Sequence, residues 1–165
     1  MTTLAINGAE ISFSDQGAGD ALVLVHGFAA SSQENWGKAG WISMLTRANR
    51  RVVAIDLRGH GQSAKLYQPT EYSIALMAAD VVAIVEHLQL KKPDLIGFSL
   101  GARVVLEALR TRGERFLLGV LAGVGETLIN PREERDPALL AGAMEAPSAE
   151  AVGDDMAKRF RMFAE

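Results

Sequence analysis

Hydrophobic positions along this chain follow two patterns. Residues 21–25, 52–55, 95–96 and 116–124 are continuously apolar. Unbroken apolar runs suit strands buried on both faces of a parallel sheet. The segments between them have helical character. The clearest is 73–88, where Ile74, Met77, Ala78, Val81, Val85 and Leu88 share one stripe and Ser73 is placed to cap the start. Residues 36–50 also read as helical, and another helix is expected after Ser99, running to Arg112 with Gly113 as its C-cap. Near the start, residues 3–6 and 10–14 read as strands joined by Asn7 and Gly8, a strong hairpin signal. Strands alternating with helices predict α/β architecture, a mainly parallel sheet with flanking helices.

Beyond Glu126 the pattern changes. Asn130 and Pro131 mark a break, and residues 132–136 are charged. Asp136 and Pro137 open a predicted helix over 138–145, and Pro147 and Ser148 open another over 149–164. In the second, Val152, Met156, Phe160 and Phe163 form an apolar stripe. Asp154 with Lys158, and Asp155 with Arg159, stand at favourable i,i+4 spacing. Two parts are therefore expected, a sheet-based core over 1–126 and a helical segment over 127–165.

Composition narrows the chemistry. The chain has 165 residues, 48% apolar and 22% charged, which is enough for the core of one ordinary globular domain. A net charge of −3 gives no electrostatic case for nucleic acid or an anionic membrane. The absence of cysteine excludes disulfides, thiolate metal sites and a cysteine nucleophile. The first residues lack a basic segment followed by an apolar run, and no run is long enough to span a bilayer, so a cytoplasmic location is the simplest expectation.

In open α/β sheets, sites form beyond the carboxyl ends of the strands. His26-Gly27-Phe28, the glycine-punctuated segment 56–63, Ser99 and Glu126 all fall there. A glycine directly after a buried strand lets the backbone turn so that an N–H faces a ligand. Ser99 lies within Gly97-Phe98-Ser99-Leu100-Gly101, a Gly-x-Ser-x-Gly pattern between a strand and a helix. Such a turn holds its serine in a strained conformation with the hydroxyl pushed outward, and crowding demands very small neighbours. The helix that follows aims its free N–H groups and positive dipole end at the same place.

A serine hydroxyl needs a base to become a good nucleophile. The chain has three histidines. His26 stands at a strand end, His60 reads as a structural member of its loop, and His87 lies on the Asp80 face of its helix, opposite the apolar stripe, where solvent is expected. Asp56, Arg58 and Ser63 read as residues that hold their loop by local hydrogen bonds and ion pairing. No spacing suggests a metal site and no phosphate-cradling glycine pattern carries a lysine, so no metal or organic cofactor is expected.

Taken together, His26-Gly27-Phe28, the segment Asp56-Leu57-Arg58-Gly59-His60-Gly61-Gln62-Ser63 and the serine turn give residues 1–126 a clear likeness. They resemble the N-terminal part of α/β-hydrolase fold enzymes of the compact bacterial esterase and haloperoxidase-like group. The resemblance implies that Ser99 is a nucleophile forming an acyl-enzyme. It implies that the N–H groups of Phe28 and Leu100 form the oxyanion hole, that the Phe28 side chain lines the acyl pocket, and that Gly97, Gly101, His26 and Gly27 support the turn and loop. His26 would brace the oxyanion loop, the alternative being that it acts as the base. The family places its acid and its histidine after the nucleophile. Glu126 stands where some members carry the acid, and an ordinary pocket-edge residue is the other reading.

By the same resemblance, the helical segment begins a cap over the site, the alternative being helices that simply pack on the core. The chain is then expected to be an N-terminal portion, truncated after the strand that follows the nucleophile helix. It would have an open apolar sheet edge through which it self-associates. The activity implied is a serine hydrolase for a small ester or related carbonyl compound. Two alternatives stand beside it: a non-catalytic relative that binds a ligand or partner, and a cofactor-free perhydrolase or haloperoxidase. Epoxide hydrolases and haloalkane dehalogenases fit less well, because those relatives place an aspartate where this chain has Ser99.

Overall fold

The structure is a computed structural model, and it describes residues 1–128, 142, 145–154 and 158. They fall into two compact units, Met1–Val124 and Gly125–Glu165. The first holds a six-stranded sheet with strand order β1-β2-β4-β3-β5-β6. Its strands are β1 (Thr2–Ile6), β2 (Ala9–Gln16), β3 (Asp20–Val25), β4 (Arg50–Ile55), β5 (Asp94–Phe98) and β6 (Gly119–Ala122). β1 and β2 form the expected hairpin, with Asn7 at φ 47° and Gly8 at φ 77° in its turn, and β2 pairs antiparallel with β4. The remaining pairings, β3 with β4, β3 with β5 and β5 with β6, are parallel.

Side chains alternate across this sheet, and both faces are dry over its centre. Val23 and Val25 of β3, Val53 and Ile55 of β4, and Leu95 of β5 face one way. They meet α2 (Ile74–His87) and α3 (Leu100–Arg112) through Met77, Val81, Val85, Val104 and Val105. Leu22, Leu24, Val52 and Ala54 face the other way, against Trp36 and Ile42. Burial on both faces is why these strands read as unbroken apolar runs.

Four expectations need correction. Residues 36–50 are not one helix: a π-type turn, Gln33–Gly37, is followed by a break at Gly40 (φ 81°) and by the short helix α1, Trp41–Arg47, and Arg50 already belongs to β4. Gly113 follows α3 at φ −54°, so it takes no left-handed cap, and the chain tightens into a 3-10 turn, Gly113–Arg115. The run 116–124 contributes only four strand residues, Gly119–Ala122. The predicted helix over 149–164 does not begin at Ala149, where a 3-10 turn, Ala149–Ala151, leads into an extended Val152. Further on, Lys158 is helical and its N–H donates to the Asp154 carbonyl at 2.8 Å, while the other residues of that helix beyond Asp154, and most of the one over 138–145, lie outside the described residues.

A fifth correction concerns Asp80, which is buried on α2 rather than exposed on its outer face. Its carboxylate accepts two hydrogen bonds from Arg58, from Nε and Nη2, each at 2.8 Å. Arg58 Nη1 donates to the Glu71 carbonyl at 2.8 Å, and Asn7 Nδ2 donates to Asp80 at 3.0 Å. A fully buried arginine is tolerable only with such a complete set of acceptors. The network ties the loop after β4 to α2 and to the β1–β2 turn, so Arg58 holds more than its own loop.

Among the described residues β6 is the outer strand of this sheet and pairs with β5 alone. In a parallel ladder alternate residues face the neighbouring strand, and Leu95 N–H donates to the Leu118 carbonyl while Ser99 N–H donates to that of Ala122. The N–H and C=O groups of Gly119 and Leu121 therefore point outward. Residues 116–125 carry no charge, and Leu117 and Val120 are 70% and 43% exposed. Apolar outer edges with unpaired backbone groups are prone to pair with further strands. The expected outcome is concentration-dependent association of this chain with itself in sedimentation velocity, abolished by Val120→Lys while cooperative unfolding is retained. A wild-type chain that sediments as a monomer throughout would contradict it.

Candidate active site

β5 delivers the chain to Ser99, and α3 begins at the next residue. Ser99 stands at φ 52°, ψ −108°, a conformation that costs a non-glycine residue about 1–3 kcal/mol. Packing holds it there. A Cβ on Gly97 would strike the Gly101 carbonyl oxygen, and a Cβ on Gly101 would strike the Val25 carbonyl oxygen. Only two glycines let the first turn of α3 lie this close to the ends of β5 and β3. Ser99 N–H donates to the Ala122 carbonyl at 2.9 Å, and the Ser99 carbonyl accepts from Ala102 N–H at 3.1 Å. The Leu100 N–H has no acceptor among the described residues. Neither has Ser99 Oγ a hydrogen-bond partner among them, and the serine is half-buried. The arrangement offers a hydroxyl and a free helix-start N–H side by side.

The loop after β3 lies against this turn. A Cβ on Gly27 would come within 3.5 Å of Ser99 Cβ. Gly27 N–H donates to Asn35 Oδ1 at 3.0 Å. The Gly27 carbonyl is 2.7 Å from His26 Nδ1, and His26 Nε2 accepts from Leu57 N–H at 3.0 Å. These contacts assign the proton to Nδ1 and occupy both ring nitrogens. His26 is fully buried, and burial pushes its pKa down to about 4, so the ring is neutral near pH 7. Both nitrogens of the His26 ring are thus engaged with backbone groups, and neither is directed at Ser99. The Gly27–Phe28 peptide is planar and trans, so fixing its carbonyl toward His26 aims the Phe28 N–H in the opposite direction.

The loop after β4 supports the same region. Asp56 accepts from Ser32 N–H at 2.7 Å and Gln62 N–H at 2.8 Å. Ser63 Oγ donates to the Asp56 carbonyl at 2.6 Å and accepts from Ser12 N–H at 2.8 Å. His60 Nδ1 lies 3.0 Å from the Arg58 carbonyl. Its ring is 5.2 Å from that of His26 and meets the Phe28 ring edge-on at 5.8 Å. Asp56, Ser63 and His60 thus hold a loop, and His87 is exposed on α2. Among the described residues no histidine hydrogen-bonds to Ser99. Glu126 is exposed and opens a short turn, Glu126–Leu128, of the second unit. No group of three or more potential metal ligands is gathered among the described residues, and no helix among them is long and apolar enough to cross a membrane.

Two residues at this site escaped the sequence reading. Asn35 is a polar residue in a polar loop, with no periodicity to single it out. Phe98 fills a variable position of the serine pattern, yet its ring occupies the space that a Cβ on Gly27 or Gly123 would need.

A parallel sheet crossed by a strained serine turn, with a glycine loop beside it, defines an α/β-hydrolase scaffold. The family model described as the alpha/beta hydrolase fold matches residues 20–158, and the chain belongs to that family. It is 36% identical over 114 residues to a putative non-heme chloroperoxidase of Synechocystis, covering 68% of this chain and 39% of that protein. It is 35% identical over 106 residues to pyrrolizixenacetamide deacetylase of Xenorhabdus hominickii, covering 64% of this chain and 38% of that one. The crystal structure of the epoxide hydrolase VrEH1 from Vigna radiata superposes with a TM-score of 0.70 at 26% identity, covering 83% of this chain and 40% of that chain. The chain thus spans well under two thirds of the length of each of these relatives.

His26 makes a pH prediction. The unfolded chain takes up a proton on this ring as pH falls through 6.5, the native chain only near about 4. Between those values the unfolded state binds more protons, so native stability falls as pH falls, by about 3 kcal/mol over the window. Denaturant titrations from pH 7 to pH 4 should show that decline, and His26→Asn should flatten it. An unchanged slope in the variant would contradict the buried, neutral assignment.

Proposed function

We propose that this chain carries the nucleophile and oxyanion-binding part of a serine hydrolase acting on a small ester or related carbonyl compound. Ser99 Oγ attacks the carbonyl carbon, and its proton passes to a base. The carbonyl oxygen gains negative charge and is held by the N–H groups of Phe28 and Leu100. Collapse of this intermediate expels the alcohol, which takes up a proton, and leaves an acyl group on Ser99 for water to remove. The observation that carries the reading is the strained Ser99 at the start of α3, with the Gly27 loop beside it. Each oxyanion donor in such a hole is typically worth about 100- to 1,000-fold in rate. Glu126 remains a candidate for the acid, and Gly97, Gly101, His26 and Gly27 position the reacting groups.

The identity of the residue at position 99 bears on the activities named among the relatives. An epoxide opened by a serine oxygen would leave an ether, which water does not cleave, whereas a carbonyl attacked by serine leaves a hydrolysable ester. Ser99 therefore favours acyl transfer over epoxide opening. A deacetylase among the relatives supports carbonyl chemistry. The chloroperoxidase supports a second reading, in which hydrogen peroxide rather than water takes the acyl group from Ser99.

The test is acylation of Ser99 in this chain by p-nitrophenyl acetate, with and without added imidazole as a substitute base. It is read as the mass of the acylated peptide, because imidazole itself cleaves the ester. Turnover should be very low, since removing a triad histidine costs roughly a million-fold. Acetyl-Ser99 should nevertheless form, faster with imidazole, and be absent in Ser99→Ala. Acetylation confined to other residues would overturn the proposal.

A further inference from the structure

We infer that Phe98 is a positioning residue whose ring is wedged between Gly27 and Gly123 and sets the distance of the oxyanion loop from Ser99. The inference rests on the serine hydrolase reading for its catalytic consequence, but its geometry stands apart from it. A Cβ on Gly27 would stand 3.1 Å from Phe98 Cδ1. A Cβ on Gly123 would stand 2.5 Å from Cε2 and 2.9 Å from Cδ2, on the opposite edge of the ring. One edge therefore fills the space beside the loop after β3 and the other the space beside the loop after β6. Phe98 itself belongs to β5 between them. Such a ring fixes a spacing that hydrogen bonds along a single loop do not.

The two glycines differ in what they report. Gly123 has φ 65°, so its backbone alone favours glycine. Gly27 is not among the residues at positive φ, so its φ does not by itself require glycine. Space at position 27 is limited first by the ring of Phe98, with Cδ1 at 3.1 Å from a new Cβ, and then by the Phe98 carbonyl oxygen at 3.4 Å and Ser99 Cβ at 3.5 Å, both at ordinary contact distance. Phe98 is 41% exposed, so burial of apolar area accounts poorly for its place, whereas its position between the two glycines accounts for it directly. Phe98 makes no contact with the reacting atoms in this scheme. It acts through the Gly27–Phe28 peptide, whose carbonyl end His26 holds and whose N–H end serves as the oxyanion donor.

A double-mutant cycle of Gly27→Ala and Phe98→Ala tests this, with Phe98→Leu as a milder variant should the alanine chain fold poorly. Two readouts are taken on the 165-residue chain: the amide ¹H–¹⁵N shifts of Phe28 and Leu100, and the rate of acetyl-Ser99 formation with imidazole. Phe98→Ala is expected to move the Phe28 amide and slow acylation on the order of 10- to 100-fold. Phe98→Leu should fall between it and wild type. Gly27→Ala should perturb the Phe28 amide strongly beside Phe98 and only weakly beside Ala at that position, because the truncation opens the space the new methyl needs. Additive effects, or an unmoved Phe28 amide in Phe98→Ala, would overturn the inference. Coupled amide shifts with no acetyl-Ser99 in any chain, wild type included, would uphold the wedge and overturn the hydrolase reading instead.

Discussion

The close approach of α3 to the ends of β3 and β5 is the constraint on which the rest of the site depends. At Gly97 and Gly101 the backbones touch where side chains would ordinarily stand. That contact places the chain reversal at Ser99 and forces its positive φ. The strain of about 1–3 kcal/mol is offset by the packing of Val104, Val105 and Ala108 onto the sheet, all fully buried. One contact thus has three consequences. It lifts the Ser99 hydroxyl out of the sheet, leaves the Leu100 N–H without an acceptor among the described residues, and brings the helix start beside the loop after β3.

Around this contact, buried and half-buried polar groups hold the loops, alongside the Phe98 ring and the buried Leu57. His26, Asn35, Asp56 and Ser63 each fix a backbone N–H or carbonyl of a loop at a strand's carboxyl end. Loops have little apolar surface to bury, so directional bonds must define their geometry. A neutral His26 suits this use, because an imidazole with one donor and one acceptor can link two backbone groups without carrying charge into the interior. Further from the site, the Arg58 and Asp80 pair does comparable work between the β4 loop, α2 and the first hairpin.

Much of the fold was legible because its signals are local. Strands buried on both faces read as apolar runs, the Asn7 and Gly8 turn joins the first two strands, and the α2 stripe is regular. The serine turn was legible because steric crowding allows so few residues around it. What escaped depended on tertiary context. Residues 36–50 keep an apolar, helix-like composition, yet the chain reverses at Gly40 to bring Ile42 back onto the sheet. Asp80 follows the helical pattern of a surface residue until Arg58, 22 positions earlier, arrives to pair with it. Asn35 and Phe98 act through contacts with Gly27 that no spacing along the chain reveals. The role assigned to His26 by resemblance gains a physical basis in its two engaged nitrogens, which composition alone could not supply.

The most direct measurement of the central claim is a crystal structure of this chain after reaction with an alkyl p-nitrophenyl phosphonate, whose phosphoryl oxygen stands where a developing oxyanion would. The account predicts phosphorus bonded to Ser99 Oγ, with that oxygen about 2.7–3.1 Å from both the Phe28 and Leu100 nitrogens. A phosphonyl group on another residue, or one on Ser99 with its oxygen turned away from those two nitrogens, would contradict it.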